Sequence, residues 1–207
     1  MIHYFKEGDL GYSYLESWEK YGCAPIKKWD STMLPYDQYP SLIGYRDNKK
    51  WSILSDFLRI WAVIEFGGIY LDCDVELIKP IDVFYDYEAF ICMEGEPVFV
   101  NAAVTGGHKG SEHHKNMLNG FFDVIEGRKG YIVPTEVGCG VWSHTDYVKG
   151  LLGRDLTVED MNNTINVDGL WLMPKRAFYP FNWNEGYSED CITDQTYGIH
   201  WWKKSWA

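Results

Sequence analysis

Ser55-Asp56-Phe57-Leu58-Arg59, followed after a short apolar run by Glu65-Phe66-Gly67-Gly68-Ile69-Tyr70-Leu71-Asp72-Cys73-Asp74, is the stretch whose reading decides the fold. Its first half belongs to a helix. Ile53, Leu54, Phe57, Leu58, Trp61 and Ile64 recur at spacings of one, three and four, which gives a broad buried face. Asp47 or Asn48 reads as the N-cap of this helix, and the Gly67-Gly68 pair as its stop. Ser52, Ser55, Asp56 and Arg59 share a second face. Periodicity alone makes that stripe a solvated ion pair first and the lining of a cleft second. Beyond the glycines, Ile69-Tyr70-Leu71 reads as a short buried strand. Asp72 and Asp74 fall at its carboxyl end, which is where open α/β sheets hold their ligands.

The flanking sequence supplies the other layers. Residues 2–5 and 25–29 read as strands, with a helix over 12–21 between them. Residues 31–47 are rich in Pro, Asp, Ser and Tyr and read as a loop. Beyond the Asp pair, strands are expected over 75–78, 89–93 and 98–104, then a helix over 112–125. Residues 131–141 are Gly-rich and fit no single template. A weak helix over 146–152 and late strands over 170–173 and 197–201 complete the reading. Helices alternating with short apolar strands make an α/β chain of one domain spanning 1–207.

Composition removes several classes of function. The chain has 207 residues, 46% hydrophobic and 24% charged, so it can bury a sizeable core and is not a disordered or coiled-coil sequence. A formal net charge of −11 argues against nucleic acid as a partner held by phosphate neutralisation. Lys27-Lys28, Lys49-Lys50 and Lys203-Lys204 are small basic clusters that allow peripheral contact with an anionic membrane. The five Cys are scattered without a Cys-x-x-Cys pair, which speaks against a zinc site or a disulfide framework. The opening residues predict no signal peptide, and the most apolar segment is broken by Asp56, Arg59 and Glu65. The compartment expected is a reducing cytoplasm, with the chain either free or membrane-associated.

Asp-x-Asp is weak as a motif, because the sixteen Asp of this chain would give roughly one such pair by chance. A turn at a strand end is the ordinary explanation. Against it, two carboxylates so close repel one another unless a cation lies between them. Hard divalent cations take oxygen ligands, and Mn²⁺ or Mg²⁺ beside a diphosphate would neutralise the charge of a leaving nucleoside diphosphate. Local chemistry gives these two readings equal weight. His3, in an apolar strand, reads as a satisfied core residue, and His113-His114 as a surface pair; His108 and His144 carry no assignment.

Residues 51–82, and the two quoted segments above all, closely resemble the Asp-x-Asp glycosyltransferases of family 32, which include capsular-polysaccharide enzymes and initiating mannosyltransferases. The glucosylating clostridial toxins share the same block. Tyr197-Gly198-Ile199-His200-Trp201-Trp202-Lys203-Lys204-Ser205-Trp206 resembles the closing segment of that family, and Ile2-His3-Tyr4 its opening strand. The resemblance implies a GT-A fold, a Rossmann-like domain that binds a nucleotide sugar and a divalent metal, Mn²⁺ or Mg²⁺. It implies transfer with retention at the anomeric carbon.

Carried over residue by residue, the resemblance makes Asp74 a direct metal ligand. Asp72 becomes a ligand that also reaches the donor, and His200 a late ligand from the closing segment. Ser205 and Trp206, in a donor-closing segment at about 197–207, become contacts to the β-phosphate. Ser55, Asp56 and Arg59 become grips on the ribose and donor sugar, which favours the cleft reading of the polar stripe, and Tyr70 becomes a further donor contact. Asn101 becomes the asparagine that approaches the donor sugar, grouped with Asp72 and Asp74 as catalytic. Lys6 stands near the place of the family's base-stacking Trp, which leaves Tyr4 or Trp51 to stack the base. The donor implied is a UDP- or GDP-sugar. The acceptor implied is a glycan or lipid-linked oligosaccharide, as in capsule or cell-surface polysaccharide synthesis. A toxin-like transferase acting on a protein, and a non-catalytic sugar-nucleotide-binding module, stay open as alternatives.

Overall fold

The computed structural model describes residues 1–8, 14–128 and 139–203. Its centre is a seven-stranded sheet built from β1 (Ile2–Phe5), β2 (Ile26–Trp29), β3 (Gly68–Leu71), β5 (Ala89–Glu94), β6 (Phe99–Gly107), β7 (Ile165–Val167) and β8 (Leu170–Met173) in the order β2-β1-β3-β6-β5-β8-β7. β1 runs parallel to β2 and β3, and β5 runs parallel to β8; β6 is antiparallel to both β3 and β5, and β7 to β8. Five strands therefore share one direction, with β6 reversed between β3 and β5. A separate pair joins β4 (Val75–Leu77) to β9 (Gly198–His200), antiparallel. The α/β, Rossmann-like arrangement expected from the sequence is present.

Helices cover both faces. α1 (Leu15–Tyr21) buries Trp18 on one face, beside Ile2, Ile69, Leu71, Phe90 and Tyr179. α3 (Trp51–Phe66), α4 (Glu112–Ile125) and α5 (Cys139–Leu152) pack on the other, where Leu54, Phe57, Leu58, Met117 and Phe121 meet Tyr70, Ile91 and Ala102. The period-2 pleat explains the division within β3, because Ile69 and Leu71 point to one core and Tyr70 to the other.

Two glycines set the start of β3. Gly67 ends α3 with φ +67°, which a side chain rarely adopts. Gly68 has φ +103°, and a Cβ there would lie 2.2 Å from the Met1 carbonyl. Only glycine lets β3 begin so close to β1. His3 is the satisfied core residue expected: its ring bonds Gly67 O at 2.9 Å and the Trp29 indole at 3.2 Å.

The structure corrects several element readings. Residues 31–47 are not a plain loop, since 3₁₀ turns at Ser31–Met33 and Pro40–Leu42 lead into α2 (Ile43–Asp47). The same Ser, Asp and Pro that mark loops also start helical turns. Asp30 accepts from Thr32 N–H, and Pro40 sits in a first turn that buries Leu42. Neither Asp47 nor Asn48 caps α3. Lys50 occupies that position without a side-chain bond, because Asn48 closes α2 and donates to Gly44 O at 2.7 Å. The weak helix read over 146–152 begins at Cys139, and α6 (Val158–Met161) and β7 have no counterpart in the sequence reading. His114 is fully buried rather than on the surface, bonded to Thr105 Oγ1 at 3.1 Å and Ser111 Oγ at 2.9 Å. The ambiguous stretch 131–138 lies outside the described residues.

Candidate active site

β3 and α3 build one wall of the site. The polar stripe of α3 is not solvated, for Ser55, Asp56 and Arg59 are all buried. Arg59 lies between two carboxylates, with its Nη2 3.2 Å from Asp56 Oδ1 and 3.3 Å from Asp72 Oδ1. The Tyr70 hydroxyl donates to Asp72 Oδ1 at 2.9 Å and lies 2.9 Å from Ser55 Oγ. Asp56 Oδ2 accepts from Gly140 N–H at 3.1 Å, which ties the start of α5 to α3. Two buried carboxylates against one guanidinium leave negative charge in excess. Burial pushes both Asp56 and Asp72 above the usual carboxylate range, against the pull of Arg59. Burial opposes the charge on Arg59 as well, yet Asp72 and Asp56 hold its pKa above normal.

The second wall comes from the carboxyl end of the chain. The Asp72–Val75 turn closes with Val75 N–H donating to Asp72 O at 2.9 Å. β9, paired with β4, then brings His200 to the turn in register with Val75. His200 Nε2 stands 3.2 Å from Asp74 Oδ1. Beyond it, Trp202 adopts φ +54°, and Lys203 N–H donates to Asp74 Oδ2 at 2.8 Å. Burial would raise Asp74, but His200 and the Lys203 N–H outweigh it and hold the carboxyl below its ordinary range. Burial would likewise lower His200, and Asp74 and Asp72 reverse that and raise it.

Asp72, Asp74 and His200 thus offer three ligand atoms that all lie within 4.8 Å of one another. Asp74 Oδ1 and both His200 ring nitrogens are shut from solvent, and apart from the Asp74–His200 ion pair none of them has a partner. Buried polar atoms are rarely left so, because each orphan costs free energy. Two carboxylates and an imidazole grouped this closely, with His200 Nδ1 left unpartnered, fit a divalent cation. The Asp-x-Asp spacing adds to this. It sends Asp72 to the Tyr70 side of the sheet, while Cys73 between the two carboxylates joins the opposite core.

Asn101 of β6 is buried close by, its Oδ1 accepting from Ala103 N–H at 2.8 Å. Tyr4 is packed edge-on against Trp18, with ring centroids 5.2 Å apart, and is buried in the α1-side core. Trp51 is half-buried at the first turn of α3, against the other core. Ser205 and Trp206 lie outside the described residues.

Two groups here escape the sequence reading. Glu94 ends β5, where its side chain is hydrogen-bonded by Asn101, and its Oε2 is buried without a partner. A lone Glu after an apolar strand has no motif, but its place at a strand's carboxyl end is a usable signal. His144 of α5 is buried beside Asp56, across Gly140, with both ring nitrogens unpartnered, and burial lowers its pKa to about 3.

Residues 14–91 match a family model described as the glycosyltransferase sugar-binding region containing the DXD motif. The chain is 22% identical over 183 residues to the lactosylceramide 4-alpha-galactosyltransferase of Pan troglodytes, a match covering 81% of this chain and 46% of that protein. It is 33% identical over 78 residues to glucan organizing enzyme 1 of Cryptococcus neoformans var. grubii, covering 35% of this chain and 21% of that one. It therefore spans about half the length of the first of these relatives and a fifth of the second. Among solved structures it is similar to PaToxG glycosyltransferase, with a TM-score of 0.49 and 15% identity over 72% of this chain and 68% of that chain.

Proposed function

We propose that this chain is a GT-A-type, metal-dependent, retaining glycosyltransferase that moves a sugar from a UDP- or GDP-sugar to a glycan acceptor. The observation that carries this reading is the grouping of Asp72, Asp74 and His200 at the carboxyl end of β3, with ligand atoms within 4.8 Å of one another. The match of residues 14–91 to the DXD sugar-binding model supports it, since that segment contains both aspartates and the polar face of α3. Asp72, Asp74 and His200 would hold Mn²⁺ or Mg²⁺. When bound, the cation supplies charge neutralisation for a departing diphosphate.

The remaining work falls to residues that position the donor. Arg59 and Tyr70 fix Asp72 through its Oδ1, so that this carboxylate cannot turn away. Asp56 restrains Arg59 and is itself held by Gly140 N–H. Ser55, Asp56, Arg59 and Tyr70 are the proposed grips on ribose and sugar hydroxyls, and Asn101 the proposed neighbour of the donor sugar. Such a site acts by positioning and electrostatics, and the burial of these groups strengthens both. Ser205 and Trp206 are proposed to close over the donor and exclude water. An acceptor on a polysaccharide or a lipid carrier at the cytoplasmic side of a membrane suits the exposed Lys27, Lys28, Lys49 and Lys50. Among the described residues, no helix is long and apolar enough to cross a membrane.

A donor screen by thermal shift tests the reading, with UDP-glucose, UDP-galactose, their N-acetyl forms and GDP-mannose, each in Mn²⁺ and in EDTA. A donor at a hundredfold its Kd adds about 2.7 kcal/mol, or roughly 5–11 °C for a chain of this size. A rise with at least one donor, abolished by EDTA, is expected, and NMR of the product then reads the anomeric configuration. Absence of any metal-dependent shift in folded protein would overturn the proposal.

A further inference from the structure

Beside the Asp–His cluster lies a cleft of about 650 Å³ that the reading above leaves without a ligand. Glu94, Phe99, Trp142, Lys175, Trp183 and Trp202 are among the residues that line it. It begins at the cluster, because the Trp202 ring lies 4.2 Å from that of His200, centroid to centroid. Glu94 supplies the unexplained group. Its Oε2 is buried and unpartnered, although Arg59, His200 and Lys175 all exert their charge on it. Each of those cations is engaged elsewhere: Arg59 with Asp56 and Asp72, His200 with Asp74, and Lys175 with Glu185 at 3.8 Å. A buried carboxylate oxygen without a donor is costly, and a ligand hydroxyl entering the cleft would complete it.

The other lining residues narrow the ligand class. Trp183 is 73% exposed and Trp142 37% exposed, large aromatic surface left to water. Trp142 is braced edge-on by Phe99, with centroids 5.3 Å apart. The C–H face of a pyranose is apolar and faintly positive, and it stacks on the negative face of an indole. Apolar walls with a few placed polar groups are the usual make-up of a small-ligand site. Glu94, Glu96 and Glu185 line the cleft against Lys175, which Glu185 already engages. That balance repels an anionic ligand.

We propose that this cleft takes the acceptor as a neutral pyranoside, with Glu94 Oε2 accepting a hydrogen bond from one of its hydroxyl groups and Trp183 stacking on its ring. The inference rests on the glycosyltransferase reading, and its test separates the two. Indole N–H cross-peaks of ¹⁵N-labelled protein, assigned by single Trp→Phe substitutions, are followed with diamagnetic Mg²⁺ and UDP or GDP present. Methyl β-lactoside, methyl α-mannopyranoside and methyl β-glucuronide are then titrated in turn.

At least one neutral glycoside should move the Trp142 and Trp183 peaks, and the glucuronide should bind at least tenfold more weakly. Trp183→Ala, at an exposed position where folding is not at stake, should weaken the neutral glycoside at least tenfold, and Glu94→Gln should do the same. Neutral glycosides that leave both peaks unmoved would overturn the proposal. So would equal binding of the glucuronide, or dissociation constants within twofold of wild type in both variants. The donor thermal shift is scored separately. Donor binding without glycoside binding refutes the cleft assignment alone, and glycoside binding without any donor response refutes its acceptor role.

Discussion

Replacing Arg59 by Met tests the electrostatic centre of the site independently of metal or substrate. The guanidinium lies 3.2 Å from Asp56 and 3.3 Å from Asp72. At an effective dielectric of 20, each contact is worth about 5 kcal/mol of gross attraction. Met restores most of the volume and removes the cost of burying a cation, so the net loss is smaller. Removing one partner of a buried ion pair costs about 3–5 kcal/mol, because the other charge is left unpaired. For a chain of this length that is a fall in Tm of roughly 6–20 °C.

The loss must depend on pH, and its direction follows from the carboxylates. Burial holds Asp56 and Asp72 above the unfolded carboxylate value, and Arg59→Met would let both rise further. A carboxyl with a raised folded pKa keeps its full contribution below the unfolded value and loses it as pH rises toward the folded one. The difference between wild type and variant should therefore be larger at pH 7.5 than at pH 4, because it shrinks as the carboxyls take up protons. Urea melts in EDTA at the two pH values read this directly, and Asp56→Asn in the Arg59→Met background should recover part of the loss at pH 7.5. A deficit that is equal at both pH values, or under about 1 kcal/mol at pH 7.5, would refute the claim that Arg59 neutralises this pair.

Asp74→Asn should reduce turnover at least a hundredfold and abolish the Mn²⁺-dependent thermal shift while leaving the fold intact, since an amide oxygen can still accept from Lys203 N–H; activity kept at saturating Mn²⁺ would refute the metal assignment. Trp206→Ala should weaken donor binding or raise the ratio of hydrolysis to transfer, and an unchanged ratio with unchanged donor affinity counts against a closing role. Gly68→Ala should destabilise severely, because its Cβ would meet the Met1 carbonyl at φ +103°, and a denaturation midpoint equal to wild type would remove that account of β3. His114 and His144 are held neutral by burial, with pKa values lowered to about 3. Stability from such groups is present above the unfolded value of about 6.5 and is lost as pH falls, by about 2 kcal/mol for each at pH 5. Tm should drop between pH 6.5 and pH 5, and His114→Asn should flatten the slope; an unchanged slope would mean that His114 takes up a proton in the fold.

The fold is legible where one pattern dominates. The bounds of α4 follow from the sequence, because its apolar positions keep one period and Ser111 stands ready as its cap. β3, β5 and β6 follow to within a few residues from short apolar runs. Polar residues in interior positions are harder. His114 looks like surface because a His pair at a helix start is usually solvated. Here Thr105, on β6 under the helix, supplies the partner that makes burial tolerable. That partner is nine residues away and invisible to periodicity. Ser31 and Pro40 mislead in the opposite sense, because loop-forming and turn-starting chemistry use the same residues.

The polar stripe of α3 raises the same difficulty at the candidate site itself. Periodicity can say that Ser55, Asp56 and Arg59 share a face; whether that face meets water or another element depends on residues far along the chain. Asp72 decides the matter for Arg59 and Tyr70, and Gly140 for Asp56. Asp74 is satisfied on one oxygen by Lys203, 129 residues later, and faces His200 with the other. The two aspartates are adjacent in pattern and unlike in circumstance. Asp72 is clamped from the helix side, with its pKa raised. Asp74 is clamped by the closing segment, with its pKa lowered. Movement of the segment beyond His200 would free Asp74 from Lys203 N–H and leave Asp72 held by Arg59 and Tyr70, so the proposed closure over the donor would act on the proposed cation site through Asp74 and His200.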